Sequence, residues 1–230
     1  MDSPIQLFIL PFAGSRAAQF DEFVSDLGEN VETYTIEYAG RGKRAKEQYY
    51  TDYHFFLDDI SGLIKKYRDY NRPYAILGYS IGGLFAYDLI SKGYLEQPEY
   101  LFICACEDNQ KPLPQISKLP EDEFWDRVIQ LGGVDKRLIA KRKLLKLFSS
   151  ALRADFNIAE QHRYLESDKL ISCPVSILYS ETDTPFDTIK NWQSVCQLNI
   201  QFHEFVGDHF FLLQQHEKVA KVIRSHLKIR

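Results

Sequence analysis

The sequence predicts an α/β fold in which a mostly parallel sheet is flanked by helices. Short apolar runs, rich in β-branched and aromatic residues, alternate with longer segments of helical period along the chain, as in parallel sheets with crossover helices. Its 230 residues, 45% hydrophobic and 26% charged, suit one compact domain. The same numbers exclude a disordered, collagen-like or disulfide-dense chain.

The expected strands are short and are separated by turn residues and helical segments. They cover Ile5 to Leu10, Val31 to Tyr38, Tyr74 to Gly78, Tyr100 to Cys106, Pro174 to Tyr179 and Ile200 to Val206. Helical spacing of apolar residues covers Ala17 to Leu27, Tyr53 to Tyr67, Gly82 to Leu95, Phe186 to Cys196 and His216 to Ile229. The last helix carries one apolar stripe, which should pack on the sheet and consists of Val219, Val222, Ile223 and Leu227.

One interval departs from this alternation, because only helical signals separate the fourth expected strand from the fifth. A helix should begin at Leu119-Pro120-Glu121, with proline and acids in its first turn, and end at Gly132-Gly133. A second amphipathic run carries Leu145, Phe148 and Leu152. We therefore expect a single domain over residues 1–230, with a helical lid insertion at about residues 112–165 that covers a site.

Charge and composition exclude several classes of function. Lys and Arg number 28 against 32 Asp and Glu, and a net charge of −4 favours neither nucleic acid nor a membrane surface as partner. No apolar run reaches the ~20 residues of a membrane helix, and Met1-Asp2-Ser3-Pro4 lacks a basic signal segment, so we expect a cytoplasmic protein. The four cysteines lack C-x-x-C spacing and are interpreted as core residues. We expect no metal, no cofactor and a monomer.

A candidate nucleophile follows the third expected strand, in Gly78-Tyr79-Ser80-Ile81-Gly82-Gly83. This G-x-S-x-G pattern between a strand and a helix is typical of a sharp turn that exposes the serine hydroxyl, since glycines let strand and helix approach closely. The first turn of the helix would direct free N–H groups toward negative charge beside Ser80. A turn that fits the pattern by chance is the alternative, and the strand before and helix after favour a nucleophile.

A serine nucleophile needs a histidine base oriented by a carboxylate, in the chain order Ser, Asp or Glu, His. Of six histidines, only His209 lies in a loop directly after a strand, at the sheet edge where open α/β folds bind ligands. The loop after Tyr179 offers Glu181, Asp183 and Asp187, and Asp183 is preferred because it is central to its turn. A solvated loop acid or a helix cap is the alternative for these acids. The predicted catalytic triad is Ser80, Asp183 and His209.

The oxyanion of the reaction would need N–H donors close to Ser80. Ile81 should supply one, and the loop after the first strand should supply the other, from Phe12 or Ala13. A plain strand-to-helix loop would look similar, and the sequence leaves the choice between these two donors open. Candidate residues of the substrate pocket and its mouth are Phe12, Tyr79, Phe210 and Phe211.

Several motifs occur together and in order along the chain. They are LPFAG at Leu10 to Gly14, GRGKR at Gly40 to Arg44, the turn at Gly78 to Gly83, LRADF at Leu152 to Phe156, and GDHFFL at Gly207 to Leu212. In these motifs the sequence resembles, almost end to end, the external or type II thioesterases of nonribosomal peptide and polyketide synthetases, within the α/β-hydrolase superfamily. The ordered set is more specific than the serine motif, which many hydrolases share.

The resemblance implies an α/β-hydrolase fold, places the triad on Ser80, Asp183 and His209, and makes the insertion a mobile lid. It also implies hydrolysis of acyl or aminoacyl thioesters on the phosphopantetheine arm of a carrier protein, which clears misprimed synthetases. No residue that the chemistry requires is missing, since the oxyanion donors are backbone groups. At five positions the chain has a different residue from the one common in the family. With the family's common residue in parentheses, they are Ser15 (Gly), Ala39 (Pro), Tyr79 (His), Ile81 (Met) and Asp208 (Gly).

Two features of the insertion and the function itself have alternative interpretations. Arg153 and Asp155 are interpreted as a structural ion pair of the lid, with substrate contact as the alternative. We interpret a group of basic residues in the insertion as a solvated helix face, with a surface that steers an acidic carrier protein as the less favoured alternative. These residues are Lys136, Arg137, Lys141, Arg142, Lys143 and Lys146. A free-standing esterase or acyl-CoA thioesterase is the alternative function, followed by a noncatalytic carrier-binding module.

Overall fold

A six-stranded parallel sheet forms the centre of the computed structural model, which describes residues 4–108, 112–134, 145–165 and 168–228. Its order is β2-β1-β3-β4-β5-β6. The strands are β1 (Ile5–Leu10), β2 (Val31–Thr35), β3 (Tyr74–Tyr79), β4 (Tyr100–Cys104), β5 (Val175–Tyr179) and β6 (Gln201–Glu204). All six predicted strands are confirmed. Some end earlier than predicted, because buried loop residues such as Tyr38 and Cys106 continue the apolar pattern beyond the last paired residue.

The predicted helices occur in the predicted order, and one further short helix, Phe211–Gln214, is not predicted. The helices are α1 (Asp21–Leu27), α2 (Tyr53–Tyr67), α3 (Ile81–Ser91), α4 (Glu121–Gln130), α5 (Ser149–Ala159), α6 (Phe186–Ile189), α7 (Phe211–Gln214) and α8 (His216–His226). Short 3-10 helices cover Ala17–Phe20, Gly42–Arg44, Lys146–Phe148 and Lys190–Val195. No helix among the described residues is both long and apolar enough to span a membrane.

Each face of the sheet is covered by its own hydrophobic core. Successive residues of β1 alternate between the two, since Leu7 and Ile9 pack with α1 and α8 whereas Phe8 and Leu10 pack with α2 and α3. The predicted stripe of α8 is confirmed, with Val219 and Ile223 fully buried and Val222 and Leu227 packed beside them. The sheet is therefore a rigid, two-sided support for the loops at its carboxyl edge.

A third, smaller hydrophobic core lies in the segment that follows β4 and precedes β5 in the sequence. We call this segment, residues 112–165, the cap. The buried residues of this core come from α4, α5 and their neighbours and are Ile116, Phe124, Trp125, Val128, Val134, Leu145 and Leu152. Helix α4 ends at Gln130, before Gly132, whose φ of 73° stops the helix as predicted. Of the six basic residues singled out above, only Lys146 lies within the described residues.

The carboxyl ends of β1 and β3 are neighbours, and the strand order reverses between them, because β1 pairs with β2 on its other side. Open α/β sheets bind their ligands at such a point. The loops after Leu10 and Tyr79, which carry the predicted oxyanion donors and the predicted nucleophile, thus start side by side.

Candidate active site

Ser80 lies in a sharp, strained turn between β3 and α3. Its φ of 56° and ψ of −125° are rare for a residue with a side chain, and its N–H donates to the carbonyl of Cys104 at 2.8 Å. A Cβ on Gly78 would collide with the backbone of the next turn, and a Cβ on Gly82 would collide with the carbonyl oxygen of Leu10. Both positions therefore require glycine, and the turn has the geometry that the sequence predicted.

His209 and Asp183 meet across the loops that follow β6 and β5. Nδ1 of His209 lies 3.0 Å from each carboxylate oxygen of Asp183, and the side chains are 12% and 6% exposed. The carbonyl of Gly207 accepts hydrogen bonds from Ser180 Oγ at 2.5 Å and Thr182 Oγ1 at 2.6 Å, which ties the two loops together. A carboxylate at Nδ1 favours the tautomer with the proton there and leaves Nε2 as the base.

Ser80 and His209 line one cavity, but no hydrogen bond joins Ser80 Oγ to the imidazole in the described part of the chain. Such catalytic hydrogen bonds are often long before substrate binds. The structure thus pairs two of the three predicted triad residues directly and places the third on the wall of the same cavity.

The competing acids have other contacts. Glu181 accepts a hydrogen bond from the backbone N–H at the start of α6 at 3.1 Å, and exposed Asp187 pairs with Lys190 at 2.8 Å. Asp208, next to the histidine, accepts from the N–H of Phe210 at 3.1 Å. Of these four acids, Asp183 is the one whose hydrogen bond to the imidazole of His209 the structure shows.

The cavity has a volume of about 260 Å³ and a mostly apolar lining. The rings of Phe12 and Phe210 pack edge to face with centroids 5.5 Å apart, and both line the cavity as predicted. The predicted oxyanion donors also lie on its wall, and the cap contributes one side of it. The lining includes Ala13, Ile81, Leu84, Val128, Leu131, Leu152 and Phe156, and the acidic residues Glu107 and Asp108.

Tyr79 and Phe211 do not line this cavity, contrary to the prediction. Tyr79 is fully buried because β3 directs it into the core, and its hydroxyl donates a hydrogen bond to the backbone carbonyl of His209. Burial raises the pKa of Tyr79, so the hydroxyl keeps its proton. Phe211 is also fully buried and stacks on Phe205, with ring centroids 5.3 Å apart. Tyr79 thus supports the histidine loop rather than the substrate.

The two charged residues of the LRADF motif do not pair with each other. Arg153 donates to the carbonyls of Ser117 and Leu119 at 2.7 Å each, within the cap. Asp155 instead forms a bidentate ion pair with Arg41 at 2.5 and 2.6 Å, and both side chains are about 95% buried. Arg41 is not among the predicted site residues, although it lies in the GRGKR motif, one of the motifs on which the family resemblance rests.

The predicted role of the cysteines as core residues is confirmed, because all four thiols are free and buried. Burial raises the pKa of Cys173 and of Cys196 to about 12, so neither is a reactive thiolate near neutral pH. Within the described ranges, no group of three or more His, Cys, Asp or Glu residues is placed to hold a metal ion.

The parallel sheet, the strained serine turn and the histidine–aspartate pair define an α/β-hydrolase fold. Residues 5–227 match the family model of the Thioesterase domain, and the chain belongs to that family. The resemblance stated from the sequence motifs is thereby confirmed.

Curated relatives and solved structures match the chain over most of its length, and the relatives carry different names. The chain is 27% identical to "Linear gramicidin dehydrogenase LgrE" of Brevibacillus parabrevis, over 99% of this chain and 89% of the relative. It is 26% identical to "Thioesterase PikA5" of Streptomyces venezuelae, over 99% and 83%. The crystal structure of ClbQ from the colibactin NRPS/PKS pathway has the same fold, with a TM-score of 0.88, 23% identity and 98% coverage of both chains.

Proposed function

We propose that this protein hydrolyses acyl or aminoacyl thioesters on the phosphopantetheine arm of a carrier protein, through an acyl-enzyme on Ser80. The observation that carries the proposal is the convergence of Ser80 and the Asp183–His209 pair on one apolar cavity. Membership of the thioesterase family supports the choice of bond. The pathway named for ClbQ supports a carrier-bound substrate.

The proposed reaction begins when Ser80 Oγ attacks the thioester carbonyl and Nε2 of His209 takes its proton. Asp183 holds the imidazole and stabilises its cation, while backbone N–H groups bind the oxyanion. The C–S bond then breaks, and the thiol leaves with a proton from the imidazolium. Water, deprotonated by His209, attacks the acyl-enzyme in the second half, and the free acid leaves as Ser80 regains its proton.

Two features support an editing role that clears misprimed carrier proteins. A thiol, with a pKa near ~8.5, leaves more readily than an amine or alkoxide, so cleavage depends less on acid assistance to the leaving group, which suits an enzyme that accepts many acyl groups. The cavity of about 260 Å³ lies just below the usual range of ligand pockets, roughly 300 to 1,000 Å³, which suits short acyl or aminoacyl groups. In this proposal the whole chain acts as one domain, and the cap acts as its lid.

The alternatives are an esterase or acyl-CoA thioesterase, a noncatalytic carrier-binding module, and the dehydrogenase activity in the name of LgrE. Dinucleotide-binding enzymes place G-x-G-x-x-G after a strand to hold a pyrophosphate. Here β1 is followed by Pro11 to Ser15, and the glycine-rich turn after β3 carries Ser80 in the conformation of a nucleophile. The site therefore favours acyl transfer over hydride transfer.

Turnover of one acyl group in three forms tests the proposal: on a carrier protein, on coenzyme A and as a simple ester. We expect the highest kcat/KM for the carrier form. Equal or higher rates on coenzyme A or the ester would favour the first alternative. A serine-directed fluorophosphonate should label wild-type protein and should not label Ser80→Ala; a wild-type protein that resists labelling and turns over none of the substrates would favour the noncatalytic module.

A further inference from the structure

The loop that follows β1 is held by a buried hydroxyl that the mechanism above does not use. Ser15 is 2% exposed, and both its N–H and its Oγ donate to the carbonyl oxygen of Phe12, at 3.2 and 2.6 Å. A glycine at this position could form only the first of these two hydrogen bonds. The second therefore depends on the serine side chain.

The hydrogen bonds of Ser15 fix the peptide that contains the N–H of Ala13. In a trans peptide the carbonyl and the N–H point in opposite directions, and the structure has no cis peptide among its described residues. With the Phe12 carbonyl turned to Ser15, the N–H of Ala13 points the other way, and no acceptor in the described part of the chain binds it. Ala13 lies on the cavity wall with Ser80.

The preceding peptide is oriented differently. The carbonyl of Pro11 accepts from Tyr38 and lies close to Gly82, at the start of α3. The N–H of Phe12, on the opposite side of the same peptide, therefore points away from the start of that helix. The contacts thus select Ala13 over Phe12, a choice that the sequence left open.

The next peptide of the loop is held from the cap. Oδ2 of Asp155 accepts a hydrogen bond from the N–H of Gly14 at 2.7 Å, and Arg41 fixes the same carboxylate by its two hydrogen bonds. Leu152, one turn earlier on α5, packs so closely that a Cβ on Gly14 would lie 2.8 Å from its Cδ1. The cap helix and this loop therefore form one unit.

We propose that Ser15 and Asp155 are positioning residues that orient the Ala13 N–H toward the oxyanion. Through Asp155, this orientation depends on the position of cap helix α5. The inference rests on the proposed function. Its physical basis is that an oxyanion donor works only when it is preorganised where charge develops, so a donor whose peptide plane is free to rotate stabilises the transition state less.

Ser15→Ala is the central test, because it removes the Oγ hydrogen bond and leaves the N–H in place. Loss of a whole oxyanion donor lowers kcat about 10²- to 10³-fold, so loss of its aim should lower kcat about tenfold, with KM within about twofold. Affinity for an acyl trifluoromethyl ketone, which forms a tetrahedral adduct, should fall in parallel, whereas affinity for a nonhydrolysable thioether analogue should not. Ser15→Thr, which restores a hydroxyl, should recover most of the activity.

Ser61→Ala is a matched control, because Ser61 is 4% exposed and its Oγ donates to the carbonyl of Asp58, also three residues earlier, at 2.9 Å in α2. It should leave kcat and ketone affinity unchanged. Asp155→Asn should lower kcat and ketone affinity as Ser15→Ala does. Since it leaves Arg41 buried without its counter-charge and could unfold the cap, Ser15→Ala is the variant that decides the proposal.

The outcomes separate this inference from the proposed function. An active wild-type protein whose Ser15→Ala variant keeps wild-type kcat and ketone affinity would overturn the inference alone. A wild-type protein that turns over no thioester would overturn the proposed function and the inference with it.

Discussion

The carboxyl edge of the sheet and the cap line the same cavity, but they contribute different kinds of residues. The edge supplies Ser80, Asp183 and His209 from loops anchored on two large cores, and two residues at this edge, Ser80 and Ala105, have strained positive φ angles of 56° and 49°. The cap supplies apolar wall residues, and the buried carboxylate of Asp155 accepts a hydrogen bond from the loop after β1. In the proposed function, the edge performs the chemistry and the cap bounds the space for the acyl group. The hydrogen bond of Asp155 shows that the cap also holds one loop of the edge.

The largest effect should come from Ser80→Ala at the edge. Removing the nucleophile of a serine hydrolase costs on the order of 10⁶-fold in kcat in a studied protease, so thioester turnover should become undetectable. Circular dichroism and the melting temperature should stay close to wild type, because the serine side chain is not part of the core. Substantial remaining turnover would contradict a Ser80 acyl-enzyme.

A pair of neighbouring acids sharpens the assignment of the edge. Asp183→Asn should lower kcat by about 10⁴-fold, as in the studied protease triad, because the amide favours the wrong imidazole tautomer. Asp208→Asn, one residue from the histidine, should change kcat by less than about threefold, since the amide oxygen of Asn can still accept from the N–H of Phe210 and from the side-chain amide of Gln214. Steady-state kinetics on one thioester compares them, and a reversed ranking would move the triad carboxylate to Asp208.

Local sequence patterns predicted most of the edge and little of what supports it. Strands, the serine turn and the loops of Asp183 and His209 each follow from a few consecutive residues. The Arg41–Asp155 pair joins residues 114 apart and depends on how the cap sits, which no local period encodes. Tyr79, a predicted pocket residue, lies at the end of β3, and strand alternation turns its side chain into the core.

Tyr79→Phe tests the support behind the edge. The variant removes the hydroxyl that donates to the His209 carbonyl and leaves that group without its partner, at a cost of about 1 kcal/mol or more. We expect kcat to fall about fivefold, since 1.4 kcal/mol is a factor of ten, and the melting temperature to fall as well. Unchanged kcat with a lowered melting temperature would make Tyr79 a purely structural residue.

Two leucines of the cap test its role in acyl selection. Leu152 lines the cavity, whereas Leu145 belongs to the same small core and does not. Leu→Ala at either position should lower the free energy of unfolding by about 2 to 5 kcal/mol. Only Leu152→Ala should shift the preferred acyl chain to greater length, by up to about fourfold in kcat/KM per added methylene, from ~0.8 kcal/mol each. The same shift in both variants would mean that cap stability, not cavity shape, selects the acyl group.

The smallest effect should come from a pair of histidines in β6 and α8, outside the site loops and the cap. Nε2 of His203 lies 2.9 Å from Nε2 of His226, whose Nδ1 contacts Tyr100 OH at 3.1 Å, and His203 also contacts Ser176 Oγ at 3.4 Å. Burial lowers the pKa of both histidines, so each binds protons more weakly when folded than unfolded. The stability that this neutral pair contributes is fully present above the unfolded pKa of about 6.5 and is lost as the pH falls from there through the lower folded pKa.

The melting temperature should therefore fall between pH 7.5 and pH 5.5, and His226→Gln should make that fall smaller. The difference should be no more than about 4 °C, the shift that ~1 kcal/mol produces in a chain of this size. Thioester turnover at pH 7.5 should match wild type, because neither histidine lines the cavity and the hydrogen bonds described for the pair are with each other, Tyr100 and Ser176. If activity fell together with the melting temperature, the site at the carboxyl edge would depend on this side of the sheet. A description of the site by the edge and the cap alone would then be incomplete.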